Sequence, residues 1–268
     1  MSHPLITSTA NPLIKEVLRT KEKRGVGSSF VIEGVHLVDM ALSCPAAVVE
    51  RVFFAEHLIN SEQGRRLMDR LKETTVQTIR ASKKVIDKLS DTETPQGIVA
   101  VISLNVPSLD AIPLKAVPML IVCDGISDPG NIGTIVRVAD ASGADAVLLT
   151  PGTCDPFMPK AVRASAGSIF ALPVLPETGV EEIVGFLAER HIRLYAADVR
   201  ASKSLYETDF RGPAAIIFGN EAHGIGANLL NKAELLLKIP VIGRAESLNV
   251  AMAASISLYE AVRQRGLR

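Results

Sequence analysis

Apolar and polar residues follow one pattern in residues 1–105 and a different one after residue 118. In the first part, short amphipathic helices alternate with strands, such as those at 48–55 and 98–104, which is typical of a small α/β domain. Residues 105–118 contain three prolines and no long periodicity. We therefore predict a first domain at 1–105 and a linker at 106–117.

Residues 118–268 hold stronger apolar runs, and these alternate with helical patterns. The runs at 119–123 and 214–218 are continuously apolar, which is typical of strands that are covered on both faces. A helix at 132–142 and several later helices separate the strands. The sequence therefore predicts an α/β domain with a mainly parallel sheet at 118–268, preceded by the smaller α/β domain.

The last stretch of the chain predicts a strand at 235–239, a polar turn and a terminal helix. Pro240 ends the strand because it has no backbone donor. Ser247 is the predicted N-cap of the helix. Small side chains follow at positions 251, 253, 254, 255 and 257, so another element is expected to approach the helix backbone closely.

Composition supports a cytosolic protein with a substantial core. Apolar residues make up 47% of the chain and mean hydropathy is +0.26. No run reaches membrane-spanning length and the N-terminus has no secretory pattern, so we expect a cytoplasmic protein without membrane contact. The three cysteines lack zinc spacing and no histidines cluster near them, so no metal is expected.

Charge gives only a local indication of a nucleic-acid partner. Lys and Arg total 29 and so do Asp and Glu, which leaves a net charge of zero. The first thirty residues carry a local excess of basic groups, from Lys15, Arg19, Lys21, Lys23 and Arg24 against two glutamates. A solvated helix face and an RNA-binding surface both fit this pattern.

Polar residues follow three predicted strands at the point where each ends. Asn131 lies in the glycine-containing stretch after the strand at 119–123, and Asn220 and Glu221 follow the strand at 214–218. Glu246, Ser247 and Asn249 follow the last strand. Because parallel strands present their carboxyl ends at one edge of a sheet, we expect these residues to form a single ligand site.

The glycine-containing stretch does not match a nucleotide-binding fingerprint. Gly130 and Gly133 allow a ligand to approach the backbone, but the third glycine of a dinucleotide motif is missing, and so is the Gly-Lys pair of a phosphate loop. A nucleotide-dependent dehydrogenase is therefore excluded. Arg137, on the helix that follows, is expected either to extend into solvent or to reach a phosphate.

Three segments resemble the ordered motifs of the SpoU (TrmH) branch of the SPOUT RNA methyltransferases. They are residues 128–137 (DPGNIGTIVR), 218–224 (FGNEAHG) and 239–250 (IPVIGRAESLNV). One departure is Ala222-His223, where many members carry another glycine. The first domain resembles, more loosely, the ribosomal-protein-like substrate-binding domain of many members.

The resemblance implies a deep trefoil knot, S-adenosylmethionine bound in the knot, and a homodimer with its site at the subunit interface. It also implies methylation of a ribose 2′-hydroxyl. The implied catalytic residues are Asn131, Arg137, Glu221, Ser247 and Asn249. The implied cofactor-binding residues are Phe218, Gly219, Asn220, Ile239 and Leu248. The expected RNA-binding residues are Arg163, Lys15, Arg19, Lys23 and Arg24.

In the mechanism that we infer from these positions, Arg137 meets the target phosphate and ribose and assists proton removal. Asn131, Ser247 and Asn249 orient the hydroxyl and Arg137, and Glu221 organises the loops. The additional first domain favours ribosomal RNA over transfer RNA as substrate. A non-catalytic RNA-binding or ribosome-assembly factor with the same fold is the alternative.

Overall fold

The computed structural model describes residues 5–22 and 29–266. Contacts divide the chain into a smaller unit, Met1–Asn105 with Phe157–Arg163, and a larger unit, Val106–Pro156 with Ala164–Arg268. Lys23 and Arg24, two of the expected RNA contacts, lie outside the described residues.

The smaller unit is a four-stranded sheet with helices. Its strands are β1 (Phe30–Glu33), β2 (Ala47–Phe54), β3 (Gln77–Arg80) and β4 (Ile98–Leu104). Its helices are α1 (Pro12–Glu22), α2 (Val35–Ser43), α3 (Glu62–Lys72), α4 (Lys83–Leu89) and α6 (Pro159–Ala164). The last residue of α6, Ala164, falls in the larger unit. The strand order is β1-β4-β2-β3, with β4 antiparallel to both neighbours and β2 parallel to β3. The strand predicted at 98–104 is confirmed.

The segment 157–163 belongs to the smaller unit although it lies in the middle of the second predicted domain. The ring of Phe157 packs against that of Phe30 with 5.0 Å between the ring centres. Val162 is buried beside it in α6. Isolated apolar contacts of this kind leave no periodic signal in the sequence, so the prediction did not contain them.

In its described residues the larger unit contains seven strands. They are β5 (Met119–Asp124), β6 (Ala146–Leu149), β7 (Val174–Leu175), β8 (Arg193–Ala197), β9 (Lys203–Ser204), β10 (Ala214–Gly219) and β11 (Leu235–Lys238). The order in the sheet is β7-β6-β5-β10-β8-β11-β9, and every neighbouring pair is parallel. The prediction of a mainly parallel sheet is confirmed.

Helices cover this sheet, and the apolar strands lie between them. The helices are α5 (Pro129–Ala141), α7 (Val180–Glu189), α8 (Ala227–Leu230) and α9 (Val250–Gln264). The side chains of β5 and β10 are almost entirely buried, as their continuous apolar pattern indicated. Residues 106–117, the predicted linker, are part of this unit, and Leu109 and Ile112 are buried in its core.

The terminal helix α9 packs against α5 and is fixed at its C-terminal end. Its buried residues include Ala251, Ala254 and Ser257, so small side chains do mark a close approach. The guanidinium of Arg265 donates to the carbonyl oxygens of four residues at the start of β5 and before β10, namely Val117, Pro118, Phe210 and Gly212. In the described ranges, no helix combines the length and the apolar character needed to cross a membrane.

Candidate active site

The loops that follow β5 and β10 lie side by side because the two strands are neighbours and end together. Gly219 is paired in register with Asp124. The loop 124–131 leads into α5, and the loop 219–226 leads into α8. Their proximity brings two of the three predicted polar strand ends to one place, as the parallel arrangement requires.

Asn131 joins the two loops to the start of α9. Its Nδ2 donates to Oε1 of Glu221 over 2.7 Å, and its Oδ1 accepts a hydrogen bond from Nδ2 of Asn249 over 3.0 Å. The prediction that Asn131, Glu221 and Asn249 converge is therefore confirmed. We call these three side chains the Asn–Glu–Asn network.

Each asparagine is also placed by the start of a helix, since Asn131 lies in the first turn of α5 and Asn249 caps α9. Asp128 caps α5 by accepting hydrogen bonds from the backbone N–H groups of Gly130 and Asn131, with Pro129 in the first turn. Asn249 caps α9 through the N–H groups of Ala251 and Met252. The helix predicted at 132–142 therefore begins three residues earlier, at Pro129.

The carboxylate of Glu221 is held ionised by its donors. Partial burial acts to raise the pKa of Glu221, but hydrogen bonds from Asn131, from the backbone and from Ser127 outweigh it and bring the pKa below its ordinary value. The Ser127 hydroxyl lies 3.3 Å from Oε2. Glu221 is thus a fixed negative charge between the two loops.

The loop 219–226 is a tight backbone turn that leaves no room for a side chain at its first residue, Gly219. Asn220 and Gly224 exchange backbone hydrogen bonds of 2.9 Å in both directions. The Asn220 side chain donates to the carbonyl of Gly125 and accepts from the N–H groups of Ala222 and His223. A Cβ atom on Gly219 would lie 2.4 Å from the backbone of Gly224, so only glycine fits at 219.

Arg137 is not part of the Asn–Glu–Asn network within one chain. It follows Asn131 by six residues of α5, which places it about 9 Å along the helix axis and about 120° around it. Its side chain is exposed and makes no hydrogen bond or ion pair with any residue in the described ranges. It shares an exposed stripe of α5 with Thr134.

Ser247 does not cap α9, and the predicted cap is wrong. Asn249 takes that role because its side-chain oxygen reaches the first free N–H groups, two residues further on. Ser247 is exposed, and its hydroxyl has no hydrogen-bond partner in the part of the chain that the structure describes. It lies near the Asn–Glu–Asn network in sequence without joining it.

The five residues expected to hold the cofactor lie in two chain segments. Phe218, Gly219 and Asn220 are at the end of β10, and Ile239 and Leu248 are half-buried residues between β11 and α9. The ring of Phe218 is buried in the core, so this residue has only backbone groups to offer a ligand.

The sequence prediction missed the end of β8, which lies between β10 and β11 in the sheet. The Asp198 carboxylate, next after this strand, accepts hydrogen bonds from Nε and Nη2 of Arg200. These bonds lower the pKa of Asp198, against a smaller opposing effect of burial. Predicting where β8 ends relative to the site requires the order of the strands in the sheet, and that order cannot be read from the residues of β8 alone.

The expected RNA contacts fall into two groups. Lys15 and Arg19 are exposed on α1, four residues apart, and their side chains have no partner in the described ranges. The guanidinium of Arg163 instead lies 3.2 Å from Asp91 and 3.6 Å from Glu33 in the smaller unit. Contact between Arg163 and RNA would require these ion pairs to open.

Two family models match the chain. The model of the SpoU rRNA Methylase family matches residues 118–259. A model described as RNA 2'-O ribose methyltransferase substrate binding matches residues 31–105. The first match contains all three loops of the site.

Curated relatives and solved structures match over nearly the full length. The chain is 36% identical to the 23S rRNA (guanosine(2553)-2'-O)-methyltransferase RlmP of Bacillus subtilis, over 95% of this chain and 97% of that protein. The SpoU methyltransferase AviRb from Streptomyces viridochromogenes, crystallised with AdoMet, superposes with a TM-score of 0.82 at 30% identity and covers 89% of this chain and 91% of its own. An AdoMet-bound rRNA methyltransferase from Sinorhizobium meliloti gives a TM-score of 0.83 at 30% identity over 97% of both chains. The chain therefore belongs to the SpoU rRNA methylase family.

Proposed function

We propose that this protein transfers a methyl group from S-adenosylmethionine to a ribose 2′-hydroxyl in ribosomal RNA. The observation that carries the proposal is the Asn–Glu–Asn network, which ties the three motif loops together at one edge of the parallel sheet. Relatives of similar length are named for this reaction on 23S rRNA. A ribosomal RNA substrate supports the cytoplasmic location that we propose.

Residues 218–220, Ile239 and Leu248 are the residues that would hold the cofactor. The backbone of Gly219 ends β10 at the edge of the sheet, and the half-buried Ile239 and Leu248 would offer apolar surface for an adenine ring. These residues fit S-adenosylmethionine, which supplies an electrophilic methyl group on a sulfonium.

We place a trefoil knot in residues 235–264. The chain leaves β11, which lies between β8 and β9, and returns to pack α9 against α5. A knot on this path would require residues 239–249 to thread through an earlier loop, which would fold the cofactor segment back on itself. The small residues of α9 then allow the chain to pass closely.

The active form is a homodimer with its site at the interface. Ile242, Met252 and Tyr259 have relative exposures of 99%, 61% and 52%, which leaves apolar surface beside the site in the single chain. Met252 and Tyr259 are seven residues apart and share one stripe of α9. Because Arg137 lies off the Asn–Glu–Asn network of its own chain, a second copy is the source of the arginine that completes each site.

When bound, S-adenosylmethionine would supply an electrophilic methyl group to the 2′-oxygen and leave as the neutral thioether, S-adenosylhomocysteine, while the hydroxyl proton would pass to solvent. Arg137 binds the target phosphate and ribose and assists that loss by stabilising the developing negative charge on oxygen. Asn131 and Asn249 orient the hydroxyl and the guanidinium, aided by the exposed hydroxyl of Ser247. Glu221 keeps Asn131 in place and does not exchange protons near neutral pH, because its pKa is lowered.

The smaller unit binds the RNA. Lys15 and Arg19 present two charges on one face of α1, where they can contact phosphates. Lys23 and Arg24 extend the same basic stretch, and Arg163 joins it if its ion pairs open. In functional terms, residues 1–105 recognise RNA, 106–117 connect, and 118–268 catalyse.

The test combines calorimetry with nucleoside analysis. S-adenosylmethionine is titrated into the full chain, and the loaded protein is then incubated with ribosomal RNA and with transfer RNA from cells that lack it. Mass spectrometry is expected to find one new 2′-O-methylated nucleoside in ribosomal RNA. Modification of transfer RNA alone would change the substrate assignment, and absence of cofactor binding would favour an RNA-binding scaffold.

A further inference from the structure

Asp124, the last residue of β5, joins the ends of two strands to the end of a loop and has no part in the mechanism above. Its Oδ2 accepts a hydrogen bond from the backbone N–H of Gly226 over 2.7 Å. Its Oδ1 accepts one from the hydroxyl of Thr150, which follows β6, over 2.6 Å. One carboxylate therefore connects β5, the residue after β6, and the far end of the loop 219–226.

The loop 219–226 is attached to β5 at both of its ends. At its start, Asn220 donates to the carbonyl of Gly125 over 2.7 Å, and at its end Gly226 donates to Asp124. A Cβ atom on Gly226 would lie 3.2 Å from Oδ2 of Asp124, so a glycine there permits the short contact. Asn220, which makes the first attachment, is one of the residues proposed to bind the cofactor, and Phe218 and Gly219 directly precede it.

We propose that Asp124 is a positioning residue that holds the loop 219–226 in the conformation that binds S-adenosylmethionine. A backbone donor held by a carboxylate makes a stronger bond than one held by a neutral acceptor. The loop contains three glycines, at positions 219, 224 and 226, so without this anchor it samples other conformations, and the apparent affinity falls with the fraction of competent molecules. This inference rests on the proposed cofactor site.

Two substitutions separate positioning from general stability because they remove different bonds from the same carboxylate. Asp124→Ala removes both bonds, including the one to the loop. Thr150→Val removes only the bond from β6 and leaves Gly226 attached. Both are expected to lower the melting temperature, but only Asp124→Ala is expected to weaken cofactor binding, by about tenfold.

Asp124→Asn keeps the hydrogen-bonding geometry of the side chain but removes its charge. Its side-chain oxygen can accept from Gly226 while its NH₂ group donates to the hydroxyl of Thr150. We therefore expect this variant to bind S-adenosylmethionine within about threefold of the wild type. A loss equal to that of Asp124→Ala would contradict the inference.

Calorimetric titration of S-adenosylmethionine into the four full-length proteins is the test. Weak binding only in Asp124→Ala supports the inference, whereas wild-type affinity in that variant, or an equal loss in Thr150→Val, overturns it. A wild type that binds no cofactor overturns the proposed function together with the inference. Should Asp124→Ala not fold, amide exchange in the wild type decides: the Gly226 amide is expected to be protected, and rapid exchange would contradict its attachment.

Discussion

Asn131 is the side chain at which the three loops of the site meet. An ionised carboxylate only accepts hydrogen bonds, so Glu221 fixes Nδ2 of Asn131 on its side. Oδ1 then faces Nδ2 of Asn249, whose own oxygen is used in capping α9. The orientation of both asparagine amides is therefore determined along the network. Flipping either amide would bring two donors or two acceptors together.

Asn249 has two functions that substitution can separate. Asn249→Ala removes both the helix cap and the bond to Asn131, and we expect it to lower stability by about 1 kcal/mol and to reduce methyl transfer strongly. Asn249→Asp keeps a capping oxygen but places an acceptor opposite Oδ1 of Asn131. We expect Asp at this position to preserve the melting temperature and to reduce kcat by about tenfold or more. Equal kcat in Asn249→Asp and wild type would contradict the role of the donor.

The charge of Glu221 predicts a dependence of stability on pH. Because its pKa in the folded protein lies below the ordinary value of 4.5, its ionised form stabilises the fold above pH 4.5, and this contribution is lost as pH falls through the folded pKa. We expect Glu221→Gln to melt at a lower temperature than the wild type near pH 7, with the difference shrinking below pH 4.5. Glu246→Gln, at an exposed site in the polar turn, is the control. A difference that grows in acid would rule out this account.

At the scale of elements, strand ends were easier to predict than helix starts. Continuous apolar runs located β5 and β10, and parallel pairing then required their polar ends to be neighbours. The predicted start of α9 was wrong because Ser247 and Asn249 are both good N-cap residues, and only the path of the turn selects between them. The early start of α5 depends on Asp128 and Pro129, whose capping role became visible only with the loop geometry.

Other parts of the site could not be predicted because they depend on strand order or on long-range contacts. The location of β8 between β10 and β11 brings Asp198 to the edge of the site, and nothing in residues 193–198 encodes that order. Arg163 was expected to contact RNA, but its ion pairs with Asp91 and Glu33 involve residues that lie over seventy positions away in the sequence. Such contacts leave no local pattern.

The tight contact at the end of β10 predicts a severe effect for the smallest substitution. In Gly219→Ala the added methyl would lie 2.4 Å from the backbone of Gly224 and Ile225, so the loop must move. We expect affinity for S-adenosylmethionine to fall by about tenfold or more. Gly185→Ala in α7, where an added methyl meets nothing within 4 Å, is the matched control and should bind normally. Normal binding by Gly219→Ala would remove this loop from the cofactor site.

At the scale of the whole molecule, the exposed apolar side chains of the larger unit favour a second copy. Tyr259 of α9 and Tyr206 have similar exposures, 52% and 58%, but only Tyr259 lies on the helix that begins at the Asn–Glu–Asn network. We expect the wild type to sediment as a dimer, Tyr259→Asp to dissociate and lose methyl transfer, and Tyr206→Asp to remain an active dimer. Analytical ultracentrifugation with parallel activity assays makes the comparison, and a dimeric, active Tyr259→Asp would contradict the proposed interface.

The larger unit thus supplies the chemistry, and the role of one arginine tests how it does so. The decisive measurement is methyl transfer to ribosomal RNA by Arg137→Ala, read by mass spectrometry of nucleosides, with cofactor affinity measured on the same sample. The account predicts that the 2′-O-methylated nucleoside formed by the wild type disappears while the affinity for S-adenosylmethionine stays nearly unchanged. Wild-type turnover in Arg137→Ala, or methylation of a base in place of the ribose, would contradict it.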